Sequence, residues 1–122
     1  MNRPIFTIAK SEDQFRLQFF KNSSQLLLES CTFDSFKACE KFLDSLRVHL
    51  CFQTNFSRCK TSEGLFAFEI RTCWDDLIAT STGFATRQER EEAMLHTFDA
   101  NKNAVFVHTS IYAAHIPVRE VA

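Results

Sequence analysis

Cysteine and histidine are the residues of this sequence best suited to metal binding or nucleophilic chemistry. The 122-residue chain contains five cysteines and four histidines, but no two cysteines form a C-x-x-C pair. Structural zinc sites normally draw on such closely paired ligands, so we expect no metal site. His49 and Cys51 are the only close His/Cys pair. A catalytic thiolate needs a nearby base, so this pair is the one candidate for a thiol-dependent enzyme or a redox sensor.

The remaining thiols are better explained by packing. Cys39 falls on the apolar stripe of a predicted helix, where a free cysteine behaves as a small hydrophobic residue. The opening residues, MNRPIFTIAK, lack the long apolar segment and small-residue cleavage site of a signal peptide. We therefore expect a cytoplasmic protein with reduced cysteines. The five are Cys31, Cys39, Cys51, Cys59 and Cys73.

The carboxylates give no stronger sign of catalysis. The stretch Trp74-Asp75-Asp76 could place two acids beside an aromatic ring, but a turn between two strands favours aspartate equally. The run RQEREE, 87–92, is typical of a solvated helix face. The sequence has no phosphate-binding loop, no G-x-S-x-G and no dinucleotide fingerprint. We therefore predict no catalytic residue and no cofactor, and we expect that the protein is not an enzyme.

Composition indicates one folded domain covering residues 1–122. Apolar residues make up 45% and charged residues 24%, as in ordinary globular proteins. The formal net charge of −1 gives no electrostatic reason to bind nucleic acid. No run of 18 apolar residues occurs, so no membrane association is expected.

The first half of the chain reads as three strands and a helix. The segments IFTIAK, FRLQFF and LLLES alternate or are continuously apolar, and short polar turns separate them. Such short connections predict an antiparallel meander. The period then changes to three and four, which predicts an amphipathic helix over about 34–50 with Asp34 or Ser35 as its cap.

The second half repeats this order. FQTNFSRCK, FAFEI and LIATS are predicted strands, and Thr86 with Glu89 forms the capping-box pattern of a helix over about 86–102. AVFVHTSIY reads as a final strand. LLLESCTF and LIATSTGF lie 51 residues apart and mark the third strand and helix entry of each half.

These patterns predict an α+β fold. We expect two tandem β-β-β-α-β repeats, about 3–55 and 53–112, that form one antiparallel sheet with both helices packed on one face. Residues 113–122 are predicted to be a C-terminal tail.

The same stretches resemble the YegP-like family, small proteins that carry one or two copies of a short domain of unknown function. FTIAKS, FRLQF, LLLES and KACE carry the resemblance in the first half, and FSRCKTSEG, FAFEI and LIATS carry it in the second. The resemblance implies repeats that share one sheet and exchange their closing strands. It offers no catalytic residue, because the family is functionally obscure.

The sheet face opposite the helices is the predicted functional surface. Strand parity places a mixed polar and apolar set there, namely Arg16, Gln18, Phe20, Glu29, Glu69, Arg71, Ile78 and Thr80. An exposed aromatic on such a face can anchor a partner. The main hypothesis is a non-enzymatic interaction or structural module, monomeric or weakly dimeric, that uses this face or its edge strands to bind a protein partner. The alternative is a small-molecule or nucleic-acid binding module.

Overall fold

The structure, a computed structural model, describes residues 3–22 and 24–107 as strands, helices and short connections. A short 3-10 helix, Gln53–Asn55, precedes the fourth strand. In chain order the elements are β1 (Ile5–Ser11), β2 (Gln14–Asn22), β3 (Gln25–Ser30), α1 (Phe36–His49), β4 (Phe56–Lys60), β5 (Phe66–Arg71), β6 (Leu77–Ser81), α2 (Arg87–Ala100) and β7 (Val105–Phe106).

All of the described strands join in one seven-stranded sheet with the order β4-β5-β6-β3-β2-β1-β7. Five of the six pairings are antiparallel, but β7 runs parallel to β1. The prediction of an antiparallel sheet is therefore wrong at this edge, and the sheet is mixed. Alternating hydrophobicity predicts a strand but not its direction, which here depends on the route of the chain after α2. Of the predicted final strand, 108–112 lie outside the described residues, as do 113–122.

The core lies between one face of the sheet and the two helices. Phe6 opposite Phe19, and Ile8 opposite Leu17, supply its centre from β1 and β2. The helices add buried side chains to the same cluster, so both helices lie on the same side of the sheet. These side chains are Cys39, Leu43 and Leu46 from α1 and Ala93 and Ala100 from α2.

Both helices begin at a side-chain cap that the sequence indicates. Ser35 Oγ accepts a hydrogen bond from the Ala38 N–H at 3.0 Å, and Thr86 Oγ1 accepts one from the Glu89 N–H at 3.1 Å. The Glu89 carboxylate in turn accepts the Thr86 N–H, which completes the capping box. Each cap satisfies a backbone donor that the first helical turn leaves without a partner.

Corresponding phenylalanines join the start of the second strand to the residues before the helix in both halves. Phe15 exchanges two backbone hydrogen bonds with Phe33, at 2.9 and 2.7 Å. Phe66 exchanges two with Phe84, at 2.8 and 2.7 Å. The order β-β-β-α therefore occurs twice with the same local pairing.

Candidate functional site

A row of polar side chains crosses the sheet on the face away from the helices. Gln18, Glu29, Thr80 and Glu69 lie opposite one another in turn on β2, β3, β6 and β5. The Gln18 side-chain amide donates to the Glu29 carboxylate at 2.8 Å. The structure thus brings four of the predicted partner-binding residues into one line.

The two arginines predicted for this face flank the row and are already paired. Arg16 lies 3.7 Å from the Glu29 carboxylate. Arg71 donates to Glu69 at 2.9 Å and to the backbone oxygen of Asp75 at 2.8 Å. Each cation therefore neighbours a carboxylate, and the face has no excess of positive charge with which to bind nucleic acid.

Phe20 does not provide the exposed aromatic anchor that its parity predicts. It points away from the helices, yet only 1% of it is exposed. Phe20 packs in a second, smaller apolar cluster with Ile5, Leu26, Val105 and Val107. The chain at β7 contributes two of these residues, and strand alternation gives no sign of this contact between distant segments.

Ile78 lies in the main core rather than on the polar face. It is 8% exposed and belongs to the cluster that both helices cover. A register shift between Ile70 and Arg71 places Ala79 opposite Ile70 and Leu77 opposite Arg71, so Ile78 is the extra residue of a bulge. Leu77 therefore takes the outward position that alternation assigns to Ile78.

Burial works against an activated thiol at three of the cysteines. Burial raises the pKa of Cys39 to about 12 and also raises the pKa of Cys31 and Cys59. Cys51 donates to the Arg47 backbone oxygen at 3.3 Å, whereas His49 Nδ1 lies 2.8 Å from the backbone oxygen of Ser45. The Cys51 sulfur also accepts a hydrogen bond from the Asn101 side-chain amide at 3.6 Å, so the hydrogen bonds of the candidate pair go to other residues.

The acidic stretch after β5 is a turn. The Thr72 hydroxyl accepts the N–H groups of Trp74 and Asp76, each at 3.2 Å, and Asp75 has a positive φ of 68°. Trp74 lies at the tip of this turn and is 83% exposed.

Within residues 3–22 and 24–107, no group of three metal-binding side chains occurs and no helix is long and apolar enough to cross a membrane.

The sequence did not indicate a groove between β4 and α2, which has a volume of about 300 Å³. Phe56 contributes from β4, and Met94, Leu95 and Phe98 contribute from α2. Leu95 is 57% exposed. Met94 and Phe98 lie on the side of α2 that faces β4, and they are only half-buried because no strand lies beyond β4 in the described part of the chain.

An ion pair forms part of the groove wall. The Arg58 guanidinium makes two hydrogen bonds to the Glu91 carboxylate, one of them at 2.7 Å. These bonds, together with one from Arg90, lower the pKa of Glu91 to about 2. The pair therefore stays ionised throughout the physiological pH range and links β4 to α2 at the surface.

The outer side of β4 also presents free backbone groups. Phe66 of β5 turns both of its backbone groups toward Phe84, and it lies opposite Lys60 of β4. Lys60 consequently points its N–H and C=O away from the sheet, and so does Arg58 two residues earlier. Among the described residues β4 pairs only with β5, so this edge is open.

Comparisons with known proteins agree with this architecture. No protein-family model matches the chain, and no curated protein matches it significantly. Among solved structures it is similar to YegP from E. coli, with a TM-score of 0.75 and 23% identity over 88% of this chain and 94% of YegP. The chain has the YegP-like fold. UPF0339 protein SO3888 from Shewanella oneidensis is similar at a TM-score of 0.76 and 13% identity, over 88% of this chain and 92% of that protein.

These neighbours confirm the resemblance to YegP-like proteins at the level of the fold. YegP is itself a protein of unknown function, so the likeness transfers no activity and no binding residue. Function has to be argued from this chain's own surfaces.

Proposed function

We propose that this protein is a non-enzymatic interaction module that binds an extended segment of a partner protein along the free edge of β4. The observation that carries the proposal is the coincidence, among the described residues, of open backbone groups on β4 with a groove directly beside them that has an apolar wall of Phe56, Met94, Leu95 and Phe98. Added strands gain affinity from main-chain hydrogen bonds and specificity from pockets for alternate side chains. β4 supplies the main-chain hydrogen-bonding groups, and Phe56, Met94 and Phe98 line a pocket for side chains of the partner.

The polar face of the sheet is the weaker candidate for this role. Its arginines already have carboxylate neighbours, so a partner would have to separate Arg71 from Glu69 or compete for Glu29. The two large apolar residues predicted for this face, Phe20 and Ile78, are both buried. The face would therefore offer few of the desolvated contacts that dominate binding.

We also propose that residues 1–122 form one domain made of two repeats, about 3–55 and 53–112. The recurring β-β-β-α order and the matching Phe15–Phe33 and Phe66–Phe84 pairings support it. The parallel pairing of β7, from the second half, with β1 of the first supports an exchange of closing strands. We expect the protein to act in the cytoplasm, where its thiols would stay reduced.

A proline substitution tests the edge directly. Because the Arg58 N–H points away from the sheet, Arg58→Pro removes an outward donor and leaves the hydrogen bonds to β5 in place. Arg58→Ala is the matched control, since it also loses the ion pair to Glu91 but keeps the N–H. Ten-residue peptides selected from a random library on the full chain serve as probes. We expect these peptides to bind the Arg58→Ala protein and to bind the Arg58→Pro protein at least tenfold more weakly than the Arg58→Ala protein.

The amide chemical shifts of the protein show where the same peptides bind. For binding at the β4 edge, we expect the largest shift changes at residues 56–60 and 91–98. Changes centred on Gln18, Glu29 and Thr80 would instead assign binding to the polar face, and a failure to select any peptide that binds the β4 edge would also refute the proposal. Thermal unfolding of both variants verifies that they remain folded.

A further inference from the structure

The partner's chemistry can be inferred from the way the chain covers its other edge. β1 and β4 occupy corresponding positions as the first strands of the two β-β-β-α units. Phe6 lies opposite Phe19 in the first unit, and Phe56 lies opposite Ile70 in the second. β7 covers the outer edge of β1, whereas the outer edge of β4 is open among the described residues.

β7 shows what such an edge accepts. It runs parallel to β1, and the Val107 N–H donates to the Phe6 backbone oxygen at 2.8 Å. Phe106 packs against the main core. Arg47 of α1 donates to the backbone oxygen of Ala104 and holds the start of the added strand. An extended AVFV segment with one large aromatic ring thus fits the edge beside α1.

The corresponding edge at β4 is more apolar on its helix side. The position that Arg47 occupies in α1 is Phe98 in α2, and the position of Asp44 is Leu95, each 51 residues later. The Phe98 ring lies at an edge-on angle to Phe56, with the centroids 6.4 Å apart. Where α1 presents Arg47 to the added strand, α2 presents Phe98, which forms part of the wall of a groove of about 300 Å³.

The charges around the groove favour an acidic segment. Glu91 is already neutralised by Arg58. Lys60 is the last residue of β4, and its ammonium lies 5.0 Å from the centre of the Phe66 ring, while the Lys102 ammonium lies 6.0 Å from the centre of the Phe98 ring. The charged lining residues Arg58 and Glu91 thus balance each other, and one lysine lies toward each end of β4. Lysine and arginine on an edge strand also oppose pairing with the same edge of a second copy, which argues against a homodimer through β4.

We propose that the β4–α2 groove binds an acidic, aromatic-containing segment of a partner protein as a parallel strand, with its ring packed against the wall formed by Phe56, Met94 and Phe98. This inference rests on the proposed function and adds the partner's composition and direction. Its carboxylates would face Lys60 and Lys102, and its ring would replace water over the half-buried apolar wall.

Three synthetic peptides test the composition: EAVFVE, EAVAVE and KAVFVK, each acetylated, amidated and labelled with a fluorophore. Fluorescence anisotropy with the full chain measures their affinities. We expect EAVFVE to bind at least tenfold more tightly than either of the others at low salt. Raising the salt should narrow its advantage over KAVFVK and leave its advantage over EAVAVE, because salt screens charge but not apolar contact. Equal binding of all three would overturn the inferred chemistry.

A nitroxide at the N-terminus of EAVFVE tests the direction. If the peptide adds as a parallel strand, the nitroxide should broaden the amide NMR signals of residues near Phe56. Broadening near Lys60 would show antiparallel addition and overturn this part of the inference. Library peptides that bind the β4 edge with no preference for acidic or aromatic residues would refute the inferred chemistry and leave the proposed function standing. If no peptide of either kind binds the edge, both fail.

Discussion

Ser30 and Ser81 make the same two hydrogen bonds at corresponding points of β3 and β6. The Ser30 hydroxyl accepts the Leu17 N–H at 2.9 Å and donates to the Cys31 backbone oxygen at 2.7 Å. The Ser81 hydroxyl accepts the Phe68 N–H at 2.9 Å and donates to the Thr82 backbone oxygen at 2.8 Å. In each half a serine side chain thus substitutes for a backbone acceptor where the strand ends.

Removing either hydroxyl should leave a backbone N–H without its partner. We expect Ser30→Ala to lower the free energy of unfolding by about 1–3 kcal/mol, the cost of an unsatisfied buried donor. Ser81→Ala should cost less, because Ser81 is only half-buried. Urea unfolding measures both, with the exposed Ser11→Ala as a control expected within about 0.5 kcal/mol of the unaltered protein. A Ser30→Ala protein as stable as this control would show that the hydroxyl bond contributes nothing.

The two helix caps differ in a way that stability measurements can detect. Thr86 takes part in a complete capping box with Glu89, whereas Ser35 makes a single bond to Ala38. We expect Thr86→Ala to cost about 1 kcal/mol or more, and Ser35→Ala to cost less. Thr86→Ser keeps the acceptor and should retain most of the stability. The prediction fails if the serine variant is destabilised as much as the alanine variant.

Strand and helix positions could be predicted from the sequence because they depend on local patterns. The alternation in FRLQFF and FAFEI, and the caps at Ser35 and Thr86, specify elements that the structure contains. The helices begin and end within two residues of the predicted 34–50 and 86–102.

The candidate site could not be predicted in the same way, because it depends on contacts between distant segments. Phe20 is buried by contact with Val105 and Val107, which lie in and directly after β7. Ile78 changes side because of a one-residue register shift that strict alternation does not reveal. The β4–α2 groove exists because β4 is an edge strand, and edge position is a property of strand order rather than of local sequence.

Phe20 provides a test of the corrected surface. A fully buried phenylalanine replaced by alanine typically costs about 3–5 kcal/mol, so Phe20→Ala should be strongly destabilised. Leu77→Ala is the control, since Leu77 lies on the same side of the sheet and is exposed. It should change stability by no more than about 0.5 kcal/mol. Chemical denaturation compares the free energies of unfolding of the two variants. A Phe20→Ala protein as stable as Leu77→Ala would indicate that Phe20 is exposed.

His96 should make stability depend on pH near neutrality. Burial, reinforced by the charge of Lys21 and partly opposed by Asp99, lowers the pKa of His96 below its usual 6.5. Its Nε2 is buried and has no hydrogen-bond partner among residues 3–22 and 24–107. The unfolded chain therefore binds a proton at this residue at higher pH than the folded chain does. Stability should fall as the pH drops below about 6.5, until the folded-state pKa is reached, and it should be recovered as the pH rises.

Two measurements separate His96 from the other histidines. The ring signals of His96 in a proton NMR titration should give a pKa below that of a histidine in a short peptide. Urea unfolding at pH 7.5 and 5.5 should show a smaller loss of stability for His96→Gln than for the unaltered chain, because glutamine does not titrate. His49→Gln is the matched control, since the ring of His49 bonds to Ser45 on its own helix. A His96 pKa at or above the peptide value, or an unchanged pH dependence in His96→Gln, would contradict the prediction.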